Sequence, residues 1–223
     1  MRKKQEDRRE LAEVREKIDR LDEQLQNLIS ERARLALRVR ESKEQAKGAV
    51  DFYRPEREAQ VLRSVIERNQ GPLSNDEMLR LFREIMSACL AQQEPLKIAY
   101  LGPEGTFTQQ AVHRHFGHSV HAIGLPGIDS VFEQVQSGDA DFGVVPIENS
   151  TQGIVSHTLD MFLLSDLKIC GEIELRVHQN LLTLGRSVTQ IERVYSHEQS
   201  LSQCKHWLRA HLPGVELIAV GSN

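Results

Sequence analysis

Residues 11–39 read LAEVREKIDRLDEQLQNLISERARLALRV, and apolar side chains recur along them at steps of three and four residues. That spacing puts them on one face of an α-helix. No Gly or Pro occurs between Met1 and Ala46. A helix from Leu11 to Ala46 would be about 54 Å long, far longer than a small domain is wide. We therefore expect a long amphipathic helix that needs a partner chain to cover its apolar face. That face consists of Leu11, Val14, Ile18, Leu21, Leu25, Leu28, Leu35 and Val39.

Two shorter helices are predicted after the long one. Lys47-Gly48-Ala49 should end the first helix, and Pro55 suits the first turn of the second. Gly71-Pro72 should stop the second, and Ser74-Asn75-Asp76-Glu77 has the S-x-x-E form of a capping box that opens a third. The pattern predicts an all-α unit that dimerises into a helical bundle. Periodicity alone fits a coiled-coil dimerisation arm equally well.

The placement of cations on the long helix adds a further constraint. Arg32 and Lys43 are eleven residues apart, so they lie within about 20° of each other around the axis. Arg15 precedes Arg32 by seventeen residues and lies roughly 100° further round. One helix cannot easily point all three at one small ligand, whereas two crossing helices from different chains can.

These residues carry a resemblance. The run from Arg15 to Asp22, Glu31-Arg32, Lys43 and Pro55-Glu56-Arg57-Glu58 together resemble the all-helical chorismate mutase family, over residues ~8–95. The resemblance implies an interlocked dimer of three-helix chains with two equivalent sites. It also implies that Arg15 serves the partner's site. The chain's own site would use Arg32, Lys43, Arg57, Glu58 and Gln93.

The implied chemistry suits these residue types. Chorismate carries two carboxylates, which arginines clamp bidentately. Its rearrangement to prephenate is pericyclic, so the enzyme must hold the compact conformer and stabilise charge on the ether oxygen, and we expect no cofactor. We expect Lys43 and Gln93 to donate to that oxygen, Glu58 to bind a substrate hydroxyl, and Arg57 to help anchor the substrate. Two substrate-binding candidates depart from the family pattern: Arg54 stands where Asp is often found, and Cys89 where Ser is often found.

Residues 95–223 predict a different kind of fold. Residues 1–95 contain 20 Lys+Arg and 19 Asp+Glu, whereas residues 96–223 contain 8 Lys+Arg and 13 Asp+Glu. Apolar runs alternate with amphipathic ones, which is typical of an α/β layer fold. The expected strands are Lys97–Leu101, Ser119–Ala122, Phe142–Val145, Lys168–Glu174, Asn180–Leu184, Arg193–Tyr195 and Val215–Val220. The expected helices are Gln109–His115, Ile128–Ser137, Ser156–Leu164 and Ser200–His211.

Three polar loops follow predicted strands, where ligands bind in such folds. They belong to the strings YLGPEGTFTQQA, GVVPIENSTQG and YSHEQSLSQC, which in combination resemble the prephenate dehydratase family. That resemblance implies two α/β lobes around a cleft, as in periplasmic binding proteins. The residues that it implies line the cleft or lie beside it are Thr106, Glu148, Asn149, Ser150, His197 and Gln199. Asn149 and Gln199 are candidate catalytic residues.

The two patterns in one chain resemble the bifunctional chorismate mutase/prephenate dehydratases of phenylalanine synthesis. We expect a helical mutase domain in residues 1–94 and a partial dehydratase domain in residues 95–223. The Thr-Arg-Phe motif that holds the family's favoured acid does not occur. We therefore expect a dehydratase domain truncated at its end, no ACT domain, and mutase activity alone. The alternative is a non-enzymatic helical dimerisation arm that carries a small-molecule-binding α/β lobe.

Several partner classes are not expected. Neither part has the basic excess of a nucleic-acid binder. The sequence has no apolar run of 18 or more residues that could span a membrane, and no signal-peptide core follows its charged start. A cytoplasmic location is therefore expected. The three cysteines form no CxxC pair, and we expect reduced thiols. His113-x-His115 and Cys204-x-His206 have the i,i+2 spacing that points to different helix faces, so no metal site is expected.

Overall fold

The computed structural model describes residues 2–45, 53–92, 95–149, 153–185 and 187–221, with the side chains of 2–8, 40–45 and 199 excepted. Seven α-helices and one short 3-10 helix (Val188–Gln190) lie in these residues. The α-helices are α1 (Arg2–Gln45), α2 (Pro55–Arg68), α3 (Asn75–Ala91), α4 (Phe107–Phe116), α5 (Ile128–Gln136), α6 (Ser156–Leu164) and α7 (Glu198–His211). The same residues hold seven strands: β1 (Lys97–Leu101), β2 (His121–Leu125), β3 (Phe142–Val144), β4 (Glu148–Asn149), β5 (Gly153–Ile154), β6 (Arg193–His197) and β7 (Glu216–Val220).

The three N-terminal helices form as the sequence predicts. Pro55 is the first residue of α2, where its missing N–H costs no hydrogen bond. Ser74 caps α3, and its Oγ accepts a hydrogen bond from the backbone N–H of Glu77 at 3.2 Å. Both α1 and α2 pack against α3, and Val65 is buried. The predicted break at Lys47-Gly48-Ala49 lies outside the described residues.

The apolar face of α1 is exposed along its length. The helix runs for 44 residues, about 66 Å at 1.5 Å per residue. All eight members of the predicted stripe are exposed, from Val14 at 46% to Leu28 at 61%. Helices α2 and α3 are only 14 and 17 residues long, so they cannot cover a face of this length. None of the helices in the described ranges has both the length and the apolarity needed to cross a membrane.

The second half of the chain has the predicted alternation of strands and helices. Strands β1, β2 and β3 form one sheet in the order β2-β1-β3. Its core contains Ala99, Val131 and Ala140, with Leu125 and Val135 packed against them. Tyr100 is 2% exposed, and its ring crosses β2 at Gly124, where an added Cβ would lie 2.9 Å from the phenol oxygen. Only glycine therefore fits beside Tyr100.

A smaller layer forms near the end of the described chain. Strands β6 and β7 are parallel, with Val194 opposite Leu217, and α7 connects them. Val194 packs with Leu208 and Leu212 of this crossover to form a second apolar cluster. This β-α-β arrangement has the connection length that a parallel pair requires. It confirms the predicted order of strand, helix and strand after Arg193.

Two predicted strands are wrong. Residues 168–174 and 180–184 are irregular, although Ile169 and Leu182 have the apolar character of strand residues. Their side chains are 67% and 88% exposed. A strand is stable only when a neighbour pairs with its backbone, and none of the described sheets includes these segments. The sequence-based prediction did not include the antiparallel pair of β4 and β5, in which Asn149 lies opposite Gly153.

The chain forms two compact units whose limits do not follow the sequence order. One unit is Met1–Ile98 with Val112–Ala122, and the other is Ala99–Ala111 with Ile123–Asn223. In the first unit, the end of α4 packs against α3 at Gly117. Its φ of +78° favours glycine, and an added Cβ would lie 2.5 Å from the Cβ of Ser87. The domain boundary at residues 94 and 95 stays a prediction.

Candidate functional sites

Arg15 and Arg32 are too far apart along α1 to meet at one small ligand within one chain. Arg15 is exposed and Arg32 is half-buried on the same uninterrupted helix. Seventeen residues separate them, which corresponds to about 26 Å along the axis. Lys43 belongs to α1, but its side chain is outside the described set. A small dicarboxylate that contacts both arginines must therefore receive them from two different helices.

Glu58 lies in the first turns of α2 and is half-buried. Burial raises the pKa of its carboxyl above the usual value. A hydrogen bond from Tyr53 and the positive charge of Arg83 act in the opposite direction and favour the carboxylate, but they do not cancel the effect of burial on the pKa. This partly desolvated acceptor can bind a hydroxyl group of a ligand.

The other helical candidates have varied surroundings. Arg54 is exposed at the N-cap of α2, and its backbone carbonyl accepts hydrogen bonds from the N–H groups of Arg57 and Glu58. Arg57 is exposed and donates from Nη1 to Oε1 of Gln60 at 3.3 Å, along its own helix. Cys89 is 4% exposed inside α3, so it belongs to the core of the single chain. Gln93 lies outside the described residues.

Two neighbours of Glu58 were missed by sequence reasoning. Tyr53 precedes the N-cap residue of α2 and Glu58 is the fourth helical residue, which are the two positions that contact each other in a hydrophobic staple. That spacing could have predicted the contact. Arg83 lies on α3, and no local pattern connects it with a residue twenty-five positions earlier.

The loop after β1 is organised around Thr106. Its hydroxyl donates to the carbonyl of Leu101 and accepts from the backbone N–H of Gln109, both at 3.4 Å. Oε1 of Gln109 accepts a hydrogen bond from the N–H of Gly105 at 2.7 Å. Thr106 therefore caps α4 in the manner of a capping box. Thr106 is half-buried, and its two hydrogen bonds fix the shape of this loop, which the sequence predicts to contact the substrate.

The loop after β3 contacts α7 through Asn149. Oδ1 of Asn149 accepts a hydrogen bond from Nε2 of Gln203 at 3.1 Å. Gln203 lies on α7, one turn after Gln199. Glu148 and His197 are exposed. Ser150 and the side chain of Gln199 lie outside the described set. The structure thus brings the loop after β3 against α7, the helix that begins within the third predicted loop.

Thr158, on α6, holds the loop after β3 through a hydrogen bond. It is 0% exposed, and its hydroxyl donates to the carbonyl of Pro146 at 2.7 Å. We expect Thr158→Val to lower the free energy of unfolding by about 1–3 kcal/mol, because the Pro146 carbonyl loses its donor. Urea denaturation measures the change. The control is Thr183→Val at an exposed threonine, and an equal effect of both variants would contradict the anchoring role.

The described residues contain no metal centre and no disulfide. Among them, no group of three or more His, Cys, Asp or Glu side chains is arranged to hold a metal ion. Cys89, Cys170 and Cys204 are free thiols.

Two family models match the chain. Residues 98–223 match the model described as prephenate dehydratase, and residues 14–94 match the model described as chorismate mutase type II. The helical candidates from Arg15 to Gln93 fall in the second match. The loop candidates from Thr106 to Gln199 fall in the first.

Curated relatives carry both segments in one chain. A bifunctional chorismate mutase/prephenate dehydratase from Stutzerimonas stutzeri is 57% identical over 219 residues, which are 96% of this chain and 60% of that protein. One from Pseudomonas aeruginosa is 56% identical, over 97% and 60%. The chain thus spans about 60% of the length of these relatives. A crystal structure of prephenate dehydratase in complex with L-Phe from Arthrobacter aurescens is 30% identical, with a TM-score of 0.45, over 57% of this chain and 43% of that one.

Proposed function

Because the chain belongs to the prephenate dehydratase family and carries a chorismate mutase segment, as the bifunctional relatives do, we propose that it rearranges chorismate to prephenate and binds prephenate in its second half. In the whole protein, prephenate would then lose CO₂ and its ring hydroxyl to give phenylpyruvate. The helical segment 1–94 is the proposed mutase domain, and residues 95–223 are the proposed dehydratase part.

The proposed mutase site is shared between two copies of the chain. Two observations carry this proposal: the apolar face of α1 is exposed, and Arg15 and Arg32 lie about 26 Å apart along the axis of the same helix. Pairing two copies of α1 buries the stripe. When the two helices run antiparallel, the pairing also brings Arg15 of one copy to Arg32 of the other. We therefore propose a homodimer with two equivalent sites.

The proposed chemistry needs positioning and charge stabilisation only. Arg15 and Arg32 clamp the two carboxylates of chorismate and hold its compact conformer, which lowers the entropic part of the barrier. Lys43 and Gln93 donate to the ether oxygen, where negative charge develops as the C–O bond breaks. Glu58 accepts a hydrogen bond from the ring hydroxyl, Arg57 helps to anchor the substrate, and no proton is transferred.

The second half is proposed to hold prephenate at its loops. Thr106, Asn149, Ser150 and Gln199 are the proposed contacts. The hydrogen bond between Asn149 and Gln203 supports a common position for the second and third loops. The chain is proposed to act in the cytoplasm, which its free thiols support.

The test of the mutase proposal is the loss of chorismate absorbance with the purified 223-residue chain, together with the formation of prephenate. Catalysed loss that saturates with chorismate is the expected result. A binding module without activity would bind chorismate and leave its absorbance unchanged, which would contradict the proposal. The second half is tested by measuring the binding of prephenate to the chain directly. We expect phenylpyruvate, or other aromatic ring acids with the same carboxylate, to compete with prephenate for the site.

A further inference from the structure

Tyr53 occupies a special position beside the proposed catalytic carboxylate. It is 8% exposed, although it lies in the connection that precedes α2. Its hydroxyl donates a hydrogen bond to the carboxylate of Glu58. A phenol held by its own burial can fix a carboxylate oxygen in one orientation, because Tyr has only two side-chain torsions to immobilise.

The ring of Tyr53 is held by a residue from the other matched segment. Phe116, at the end of α4, packs against it with ring centroids 5.8 Å apart and planes tilted by 53°. Phe116 lies among the residues matched by the prephenate dehydratase model, and Tyr53 among those matched by the chorismate mutase model. His115 packs edge-on against Phe116 at 4.6 Å. The mutase carboxylate is thus connected to the dehydratase sequence through two aromatic rings.

The end of α4 is fixed to α3 on the far side of Phe116. Gly117 approaches Ser87 so closely that no larger residue fits. His118 donates from its backbone N–H to Oε2 of Glu84 at 3.1 Å, and its Nδ1 lies 2.7 Å from Oε1. That ion pair is exposed and contributes little to stability. The close packing at Gly117 helps to keep Phe116 against Tyr53.

We propose that Tyr53 is a positioning residue of the mutase reaction, which aims the Glu58 carboxylate at the substrate hydroxyl while Phe116 holds the Tyr53 ring in place. This inference rests on the mutase function proposed above. It assigns to a segment of the dehydratase sequence a direct part in shaping the mutase site.

The charges around Glu58 give the proposal a measurable consequence. Tyr53 and Arg83 are the groups whose interactions oppose the rise in its pKa, and Arg83 also acts, after burial, to lower the pKa of His115 on α4. Removing the Tyr53 hydroxyl takes away a stabilising interaction of the ionised form, so the pKa of Glu58 rises further. Ionised Glu58 is then lost at a higher pH than in the unaltered chain.

The test is Tyr53→Phe in the 223-residue chain, which keeps the ring and removes only the hydroxyl. We expect kcat/KM for chorismate to fall about 10-fold at neutral pH. We also expect the acidic limb of the pH profile to move to higher pH, with activity partly recovered in alkaline buffer. A carboxyl-carbon NMR titration of Glu58 should show the same upward change in its pKa. Tyr195→Phe, at an exposed tyrosine, is the control and should change neither quantity.

Phe116→Leu tests the second part of the inference. Removing the ring should loosen Tyr53 and give a smaller loss of kcat/KM with a shift of the acidic limb in the same direction. A uniform loss at every pH, or an unchanged titration of Glu58 in Tyr53→Phe, would overturn the positioning role. Absence of chorismate turnover by the unaltered chain would instead refute the mutase function itself, and the titration distinguishes the two failures.

Discussion

Replacing Arg32 by alanine should lower kcat/KM for chorismate about 1,000-fold while the chain remains dimeric, as observed when one preorganised charge-stabilising donor is removed from other active sites. Arg32 is half-buried on α1, so its guanidinium is partly desolvated and its interaction with a carboxylate is strong. The loss should appear in both kcat and KM, because the clamp acts on the bound substrate and on the transition state. Steady-state kinetics with light scattering measure both quantities.

The matched control for this prediction is Arg34→Ala. Arg34 lies on the same helix two residues later, about 200° round the axis from Arg32, and its side chain is exposed. It loses the same charge from the same helix without touching the proposed site. Near-normal turnover by Arg32→Ala, or equal losses for the two variants, would remove Arg32 from the active site.

The second large effect is expected from a charge in the apolar face of α1. Leu25 is 55% exposed in the single chain, near the middle of the stripe. If two copies bury that stripe, Leu25→Glu places an unpaired carboxylate in the interface, which costs far more than the lost apolar burial. We expect a monomer whose mutase activity falls about 100-fold or more, since each site loses the partner's arginine.

Gln26→Glu is the control for Leu25→Glu. It adds the same charge one residue later, about 100° round the helix, on the exposed polar side. Analytical ultracentrifugation gives the oligomeric state and circular dichroism the helix content. A fully active, dimeric Leu25→Glu chain would show that the stripe is not the interface.

The helices were predictable because their signals are local. The 3.6-residue period, the absence of Gly and Pro before Lys47, Pro55 at the start of α2 and the Ser74 cap each act within one or two turns. The same holds for strands β1, β2, β3, β6 and β7 and for helices α4 to α7, whose predicted boundaries differ from the observed ones by a few residues at most. The spacing of Arg15 and Arg32 also follows directly once the helix is known.

The remaining features depend on contacts between distant residues. Residues 168–174 and 180–184 have strand-like composition, but a strand needs a neighbouring backbone that composition does not specify. The hairpin of β4 and β5 has two residues in each strand, too few to show a period. Arg83 reaches Glu58, and Phe116 reaches Tyr53, only through tertiary packing.

The shared site can be tested most directly by mixing two inactive variants. Arg15→Ala and Arg32→Ala are unfolded together in equal amounts and refolded, so that half of the dimers contain one chain of each kind. In each mixed dimer, one site combines the intact Arg32 of one chain with the intact Arg15 of the other. The account predicts recovery of about one quarter of the unaltered activity from two nearly inactive parents. A mixture no more active than its parents would show that each site is built from a single chain, and would contradict the account.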